Sequence, residues 1–392
     1  MAHEDIALME PMLPTQGNRE LEDLAMTLVK KGSALSSYLN PVVQKSIGNL
    51  VRSMNCYYSN LIEGHDTHPR DIDKALKNDF SNNPEQRNLQ LEAKAHIEVQ
   101  KLIDNRELEG EVSSTEFIAR IHKEFCTRLP AELLWLDNKE TGKKLEVLPG
   151  ELRNSEVKVG RHHPPLAKNV DKFMNRFEQA YDPDVLSQIQ QIIAIAASHH
   201  RLVWIHPFLD GNGRVARLYS HAYLLHTEIG CSLWSVSRGL ARNVEAYKSA
   251  LMAADAPRKG DLDGRGNLSH ENLVRFCSFF LNACIDQVEF MGNLIDREEL
   301  LNKMKIHISE EISVGRLLPG SFQILREALI SGEFRRSHAQ DLTNYKERQA
   351  REVLSRLLDN GYLISDTPKG AVRLGFPNDA VERWLPRLYP DY

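Results

Sequence analysis

His206-Pro-Phe-Leu-Asp210-Gly-Asn-Gly-Arg214-Val-Ala-Arg217 is the stretch from which the rest of the chain can be read. Gly211 and Gly213 take positive φ without steric cost, and Asn212 tolerates it better than most residues. A turn of this kind aims successive N–H groups into one concavity, an anion nest. If a helix starts there, its N-terminus adds unsatisfied donors and a positive dipole end. Arg214 and Arg217 lie three apart on that helix and reach the same side, where their forks suit phosphate oxygens. Asp210 is a hard oxygen ligand suited to Mg²⁺. His206 titrates in the range of a general base. Together these residues fit in-line phosphoryl or nucleotidyl transfer.

Other readings of the same residues compete. Gly211-Asn-Gly-Arg-Val-Ala216 also matches a dinucleotide fingerprint, with Glu228 downstream, but that needs a strand before the turn. His199, His200 and His206 suggest a zinc site without an acidic partner at the usual helical spacing. Asp261-x-Asp263 resembles the start of a calcium loop, yet position twelve is Asn272, not glutamate.

The remainder reads as a mainly helical protein. Its 392 residues suggest two or three domains. A net charge of -5 excludes an overall nucleic-acid-like field. Five unpaired-looking cysteines (Cys56, Cys126, Cys231, Cys277 and Cys284) point to buried thiols in a reducing cytoplasm. The N-terminus lacks a signal-peptide pattern, and the longest apolar run, Ile192 to Ala197, is too short for a membrane span.

An extended arm covers residues 1–20, and helices are expected at 20–31, 41–63, 69–80, 86–104 and 114–128. More are expected at 166–181, 184–203, 213–227, 243–252 and, as one long helix, 271–304. Leu145–Leu148 and Glu156–Val159 alternate around Pro149-Gly150 and predict a β-hairpin over 145–160. An unpaired hairpin edge beside the site would accept an extended target segment as an added strand. From residue 315, three short helices (321–330, 337–343, 346–359) and a two-stranded ribbon follow the order of a winged helix. Lys346, Arg348, Arg351 and Arg356 on its third helix, with Lys369 and Arg373 on the wing, make duplex DNA a candidate partner; Glu347, Glu352 and Asp359 dilute that charge. The expected division is 1–110 for the arm and N-terminal helices, 111–305 for the catalytic core, and 315–392 for the winged-helix domain.

The signature His-x-Phe-x-Asp/Glu-Gly-Asn-Gly-Arg-x-x-Arg is matched at every specified position of 206–217, and here the chain resembles the Fic family. The resemblance extends over roughly 40–285. It implies a helical core with the 145–160 hairpin as a flap over the active site, and transfer of AMP from ATP to a Ser, Thr or Tyr hydroxyl of a protein. By the same resemblance His206 is the base and Asp210 the Mg²⁺ ligand. Gly211, Asn212 and Gly213 form the anion hole, with Val215 and Ala216 in the same ATP-binding turn. Arg214 holds the β-phosphate side, Arg217 the γ-phosphate, and Asn243 and Tyr247 line the adenine pocket. Phe208 anchors the loop.

Ser59-x-x-x-Glu63-Gly64 matches the family's inhibitory motif, which implies that Glu63 pairs with Arg217 and that Ser59 supports it. A carboxylate there competes with the γ-phosphate for the arginine fork. The expected partners are a target protein docked on the flap, the chain itself through autoadenylylation, and a second copy in a homodimer. Competing assignments are a DNA-binding transcriptional regulator with a nucleotide-sensing core, and a bifunctional enzyme that also removes AMP.

Overall fold

A computed structural model describes residues 5–35, 37–137, 142, 144–229 and 232–389; Cys231 lies outside them. The chain divides into two compact units, one of residues 1–32, 52–231 and 235–287, the other of 33–51, 232–234 and 288–392. These cut across the boundaries expected at 110, 305 and 315, because long helices contribute residues to both.

In chain order the first helices are α1 (Arg19–Leu35), α2 (Pro41–Ile62), α3 (Pro69–Leu76), α4 (Pro84–Asp104) and α5 (Thr115–Cys126). Their starts carry capping chemistry: Asn83 accepts from the N–H groups of Glu85 and Gln86, and Ser114 from that of Phe117. At the end of α2, Gly64 takes φ +87°, while the N–H of His65 bonds the Asn60 carbonyl and that of Gly64 the Leu61 carbonyl. This double closure is a Schellman stop, and it places Glu63 at the helix C-cap.

A short antiparallel pair follows, β1 (Trp135–Asp137) against β2 (Lys144–Glu146), with Leu136 opposite Leu145. The hairpin predicted over 145–160 is therefore displaced. Leu145 and Glu146 pair backward with 135–136, and 147–165 is irregular apart from one bridge between Val159 and His162. Prolines 149, 164 and 165 lack the ladder donor, and carbonyls of this stretch bond a buried arginine side chain, Arg153, instead.

Next come α6 (Val170–Tyr181), α7 (Gln188–Ile205), α8 (Asn212–His226), α9 (Val236–Ala241), α10 (Val244–Ala254) and α11 (His270–Leu294). Helix α7 opens with a reciprocal capping box between Ser187 and Gln190 and is buried along most of its length, packed on α6 and α8. The helix expected to run unbroken over 271–304 is two, because Asp296 accepts from the N–H groups of Glu298 and Glu299 and starts α12 (Arg297–Ser313). None of the described helices is long and apolar enough to cross a membrane.

In the second unit, α13 (Ser321–Ser331), β3 (Glu333–Phe334), α14 (Ala339–Thr343), α15 (Glu347–Asp359), β4 (Leu363–Ile364), β5 (Val372–Leu374) and α16 (Asn378–Trp384) follow α12. The sheet is antiparallel in the order β3-β5-β4. Ile324, Leu325, Val353, Leu357, Val372 and Leu374 form its core. Strand β3 and helix α16 were not expected from the sequence, being two and seven residues long. His307, Glu311 and Asp379 approach within 4.8 Å of one another. Arg316 already donates to Glu311 at 2.5 Å and the Tyr362 hydroxyl to Asp379 at 2.6 Å, so both carboxylates of the cluster already have protein donors.

Candidate active site

The site is a turn between two buried helices. His206 ends α7 in the left-handed region (φ 51°), and Gly211 (φ +77°) is the N-cap of α8. Between them Phe208 is fully buried and stacks on His122, with centroids 4.0 Å apart and planes 7° from parallel. Asn212 fixes the turn from inside: its Oδ1 accepts from the Phe208 N–H at 2.9 Å and its Nδ2 donates to the Phe208 carbonyl at 2.8 Å. Its side chain is thus a brace, while the first N–H groups of α8 lack intrahelical acceptors.

Burial drives the His206 ring down to about 4, against a smaller opposing effect from the Val203 carbonyl. The imidazole is therefore neutral near pH 7 and able to accept a proton. Its backbone is held by a residue whose role the sequence did not disclose. Arg153 is 3% exposed, and its guanidinium donates to the carbonyls of His206 (2.7 Å), Pro165 (2.5 Å), Ser155 (3.2 Å) and Ile205 (3.4 Å). Its own N–H donates to the Pro207 carbonyl at 2.8 Å. One side chain thus binds the irregular 153–165 segment to the His206 turn. Gly150 sits against α5, where a Cβ would come within 2.9 Å of the Lys123 Cβ, and its N–H donates to His122 Nδ1.

Both signature arginines are already paired. Arg217, 2% exposed, donates from Nη2 to Glu63 Oε1 at 2.6 Å and to the Ser59 carbonyl at 3.1 Å, and from Nε to Ser59 Oγ at 2.9 Å. Ser59 thus supports the arginine and not the glutamate, because one turn earlier on α2 its oxygens lie beside the guanidinium. Partial burial would raise the Glu63 carboxyl, but the charge and hydrogen bond of Arg217 outweigh it and hold it below its usual range. The carboxylate lies over the nest: a Cβ on Gly213 would sit 2.3 Å from Glu63 Oε1.

Arg214 lies over the Phe125 ring and donates to Glu92 Oε2 at 2.9 Å, with Asp210 Oδ2 at 3.6 Å. Glu92 was not anticipated, since one acid on a charge-rich amphipathic helix carries no signal of its own.

Asp210 is about half exposed at the mouth of the turn. An accessible carboxylate beside such a turn fits Mg²⁺, which is held by one or two carboxylates together with substrate phosphates and water.

The other expected site residues lie around this turn in different roles. The Val215 N–H is used by the Gly211 carbonyl, and the Val215 and Ala216 side chains are in the core, so neither offers a group to the nest. Helical periodicity turns both inward. Asn243 is exposed, but its Oδ1 caps α10 by accepting from the Ala246 N–H. Tyr247 is buried, with its hydroxyl 2.7 Å from His199 Nε2.

The competing readings find no support in this arrangement. His199 spends its nitrogens on Ser220 and Tyr247, and His200 Nε2 lies against the Leu251 carbonyl and Asp255, so neither joins His206 at a metal. A helix and not a strand precedes the glycine turn. Asp263 accepts from the N–H groups of Lys259 and Glu271 and clamps its own loop.

Comparisons with known proteins agree with this geometry. Residues 112–224 match the model of the Fic/DOC family. A stretch of 79 residues, 19% of this chain, is 43% identical to the protein adenylyltransferase Fic of Nematostella vectensis. Another of 94 residues, 24% of the chain, is 35% identical to the protein of the same name in Drosophila erecta. Those stretches span 18% and 19% of the relatives' own lengths. In fold, the chain is similar to a Fic family protein from Desulfovibrio desulfuricans G20 (TM-score 0.54, 16% identity, covering 93% of this chain and 99% of that one). It is also similar to Fic-1 (aa134–508) from C. elegans (TM-score 0.54, 13% identity, 71% and 73% covered). Residues 112–224, which include His206, Asp210, the glycine turn and both arginines, are a Fic domain.

Proposed function

We propose that this chain transfers AMP from ATP to a protein hydroxyl and that Glu63 restrains it. The observation that carries this reading is the turn itself. Two left-handed residues, His206 and Gly211, bring a neutral imidazole, an accessible carboxylate and a helix N-terminus onto one rigid loop. His206 takes the proton of the incoming hydroxyl, whose oxygen bonds to the α-phosphorus. The bond from that phosphorus to the bridging oxygen breaks, and pyrophosphate leaves. The N–H groups at the start of α8, with Arg214 and Arg217, neutralise the phosphate oxygens. Mg²⁺ on Asp210 would supply further charge neutralisation there.

The target hydroxyl arrives along residues 154–160. These are mostly exposed and unladdered, and Arg153 fixes them beside His206, so an extended segment can pair with their backbone. The flap role therefore attaches to this segment and not to a closed hairpin. With Glu63 on Arg217 the γ-phosphate lacks its fork, and in-line binding of ATP must first displace the carboxylate.

The helix–strand–helix–helix–strand–strand order of 321–374 supports a winged-helix reading of the second unit. Arg351 is paired with Glu347 and Arg373 with Asp366, which leaves less free charge for a duplex than the sequence suggests. We read this module as docking protein in preference to DNA.

The test is incubation with Mg²⁺ and ATP labelled at the α-phosphate, followed by mass spectrometry of the chain and of added proteins. AMP on wild type that is absent from His206→Ala supports the reading. Label of equal intensity on both, or a transferred γ-phosphate, overturns it.

A further inference from the structure

Glu63 occupies the cap of α2, and the two backbone bonds of the Schellman stop hold the chain but not the direction of its side chain. One further tie exists. His65, two residues on, places Nδ1 2.9 Å from Glu92 Oε2, the same oxygen that takes Arg214 Nη1 at 2.9 Å. Glu92 is 12% exposed and Arg214 8%, so this anchor is a buried charge pair on rigid helices, whereas His65 is 37% exposed. The turn carrying Glu63 is thereby pinned to α4, and through it to the first arginine of the nest, while Glu63 itself lies on the second.

We propose that His65 is a positioning residue for the Glu63 brake: its bond to Glu92 latches the Glu63–His65 turn so that the carboxylate stays on Arg217, and opening the latch frees that arginine for the γ-phosphate. The proposal rests on the reading of Glu63 as an inhibitor.

The charged groups facing His65 are Glu92 from α4, Arg214 from α8 and Glu63 in its own turn. The hydrogen bond to Glu92 raises the imidazole, burial opposes this, and the balance is upward. Burial would raise Glu92, but His65 and Arg214 outweigh it and keep it ionised. A group with a raised folded pKa contributes its pairing fully at low pH and loses it as pH rises through that value. The latch is therefore tight in mild acid and looser in mild base.

The experiment compares AMP self-labelling by wild type, His65→Ala, His65→Lys, Glu63→Gly and the Glu63→Gly/His65→Ala double variant. His65→Ala should raise labelling about fivefold, the scale of losing one partly solvated ion pair. In the Glu63→Gly background the same change should leave labelling within about twofold, since no brake remains to position. Wild-type labelling relative to Glu63→Gly should rise from about pH 6 to 8, and His65→Lys, always charged, should keep labelling low and flat across that range.

His65→Ala at the wild-type level beside a stimulated Glu63→Gly overturns the latch and leaves the brake standing. So does a His65→Ala effect that persists without Glu63. If Glu63→Gly itself is not stimulated, the brake fails and the regulatory role of His65 goes with it. The contact is read separately by NMR titration of the His65 ring, which must titrate lower in Glu92→Gln; an unmoved ring overturns the latch on its own.

Discussion

Glu63→Gln removes one charge and keeps the side chain's shape, which isolates the competition between this carboxylate and a γ-phosphate. The pair is short, 2.6 Å, and Arg217 is almost fully buried, but Glu63 is 35% exposed. A hydrogen bond to a charged group contributes about 1.5–3 kcal/mol. Solvent at Glu63, and the two Ser59 oxygens that stay on Arg217, place this one near the lower end. Productive ATP binding must first break it, so the substitution should tighten Mg·ATP about tenfold, the equivalent of roughly 1.4 kcal/mol. ADP lacks the competing phosphate and should gain little. The apo protein should lose about 1 kcal/mol of stability, which for a chain of this size lowers Tm by roughly 2 °C. A small part returns because an acid no longer faces the C-terminal end of the α2 dipole. Calorimetric titrations of both nucleotides into His206→Ala, with and without Glu63→Gln, avoid turnover and read the difference directly. Equal gains for ATP and ADP would place the conflict elsewhere than the γ-phosphate, and no gain for either refutes the competition.

Three more outcomes follow from the same geometry. Arg153→Met leaves carbonyls of the His206 turn and the 153–165 segment without their donor; it should cost about 3 kcal/mol or more and lower labelling even in Glu63→Gly, whereas a loss of stability with unchanged labelling would refute its role at His206. Asn212→Ala removes both bonds that brace Phe208 and should destabilise by about 2 kcal/mol, with Mg·ATP affinity falling alongside; unchanged urea midpoints would show that the turn holds without it. His96 and His199 are pushed down to about 3 and His122 to about 4, chiefly by burial. Their unfolded forms bind protons first, so stability should fall as pH drops below about 6.5, by at most about 4 kcal/mol per pH unit from these three, and flat urea midpoints from pH 7 to about 5 would refute it.

Much of the site was legible because it is local. A glycine turn, a base, an acid and two arginines within twelve residues carry their chemistry in their spacing, and helix starts at Ser114 and Asn243 are written by single capping side chains; the start expected at 184 falls at Gln188, after the capping box of Ser187 and Gln190. The pairing of Glu63 with Arg217 was legible only by resemblance, since 154 residues separate them. The hairpin was misplaced because alternation cannot say which partner a strand takes; Trp135–Asp137, the true partner, lies upstream of the stretch that looked like a strand.

What the sequence by itself determined was the helical class and the grouping of His206, Asp210, the glycine turn and two arginines, all set by residue chemistry over a few turns of chain. Only the tertiary structure decided that Arg153 holds His206, that Glu92 occupies Arg214, and that His65 joins that pair to the Glu63 turn. Each joins a group from a distant segment to a poorly solvated partner. Whether such a group meets its counter-charge depends on how helices pack, and spacing along the chain does not encode that distance.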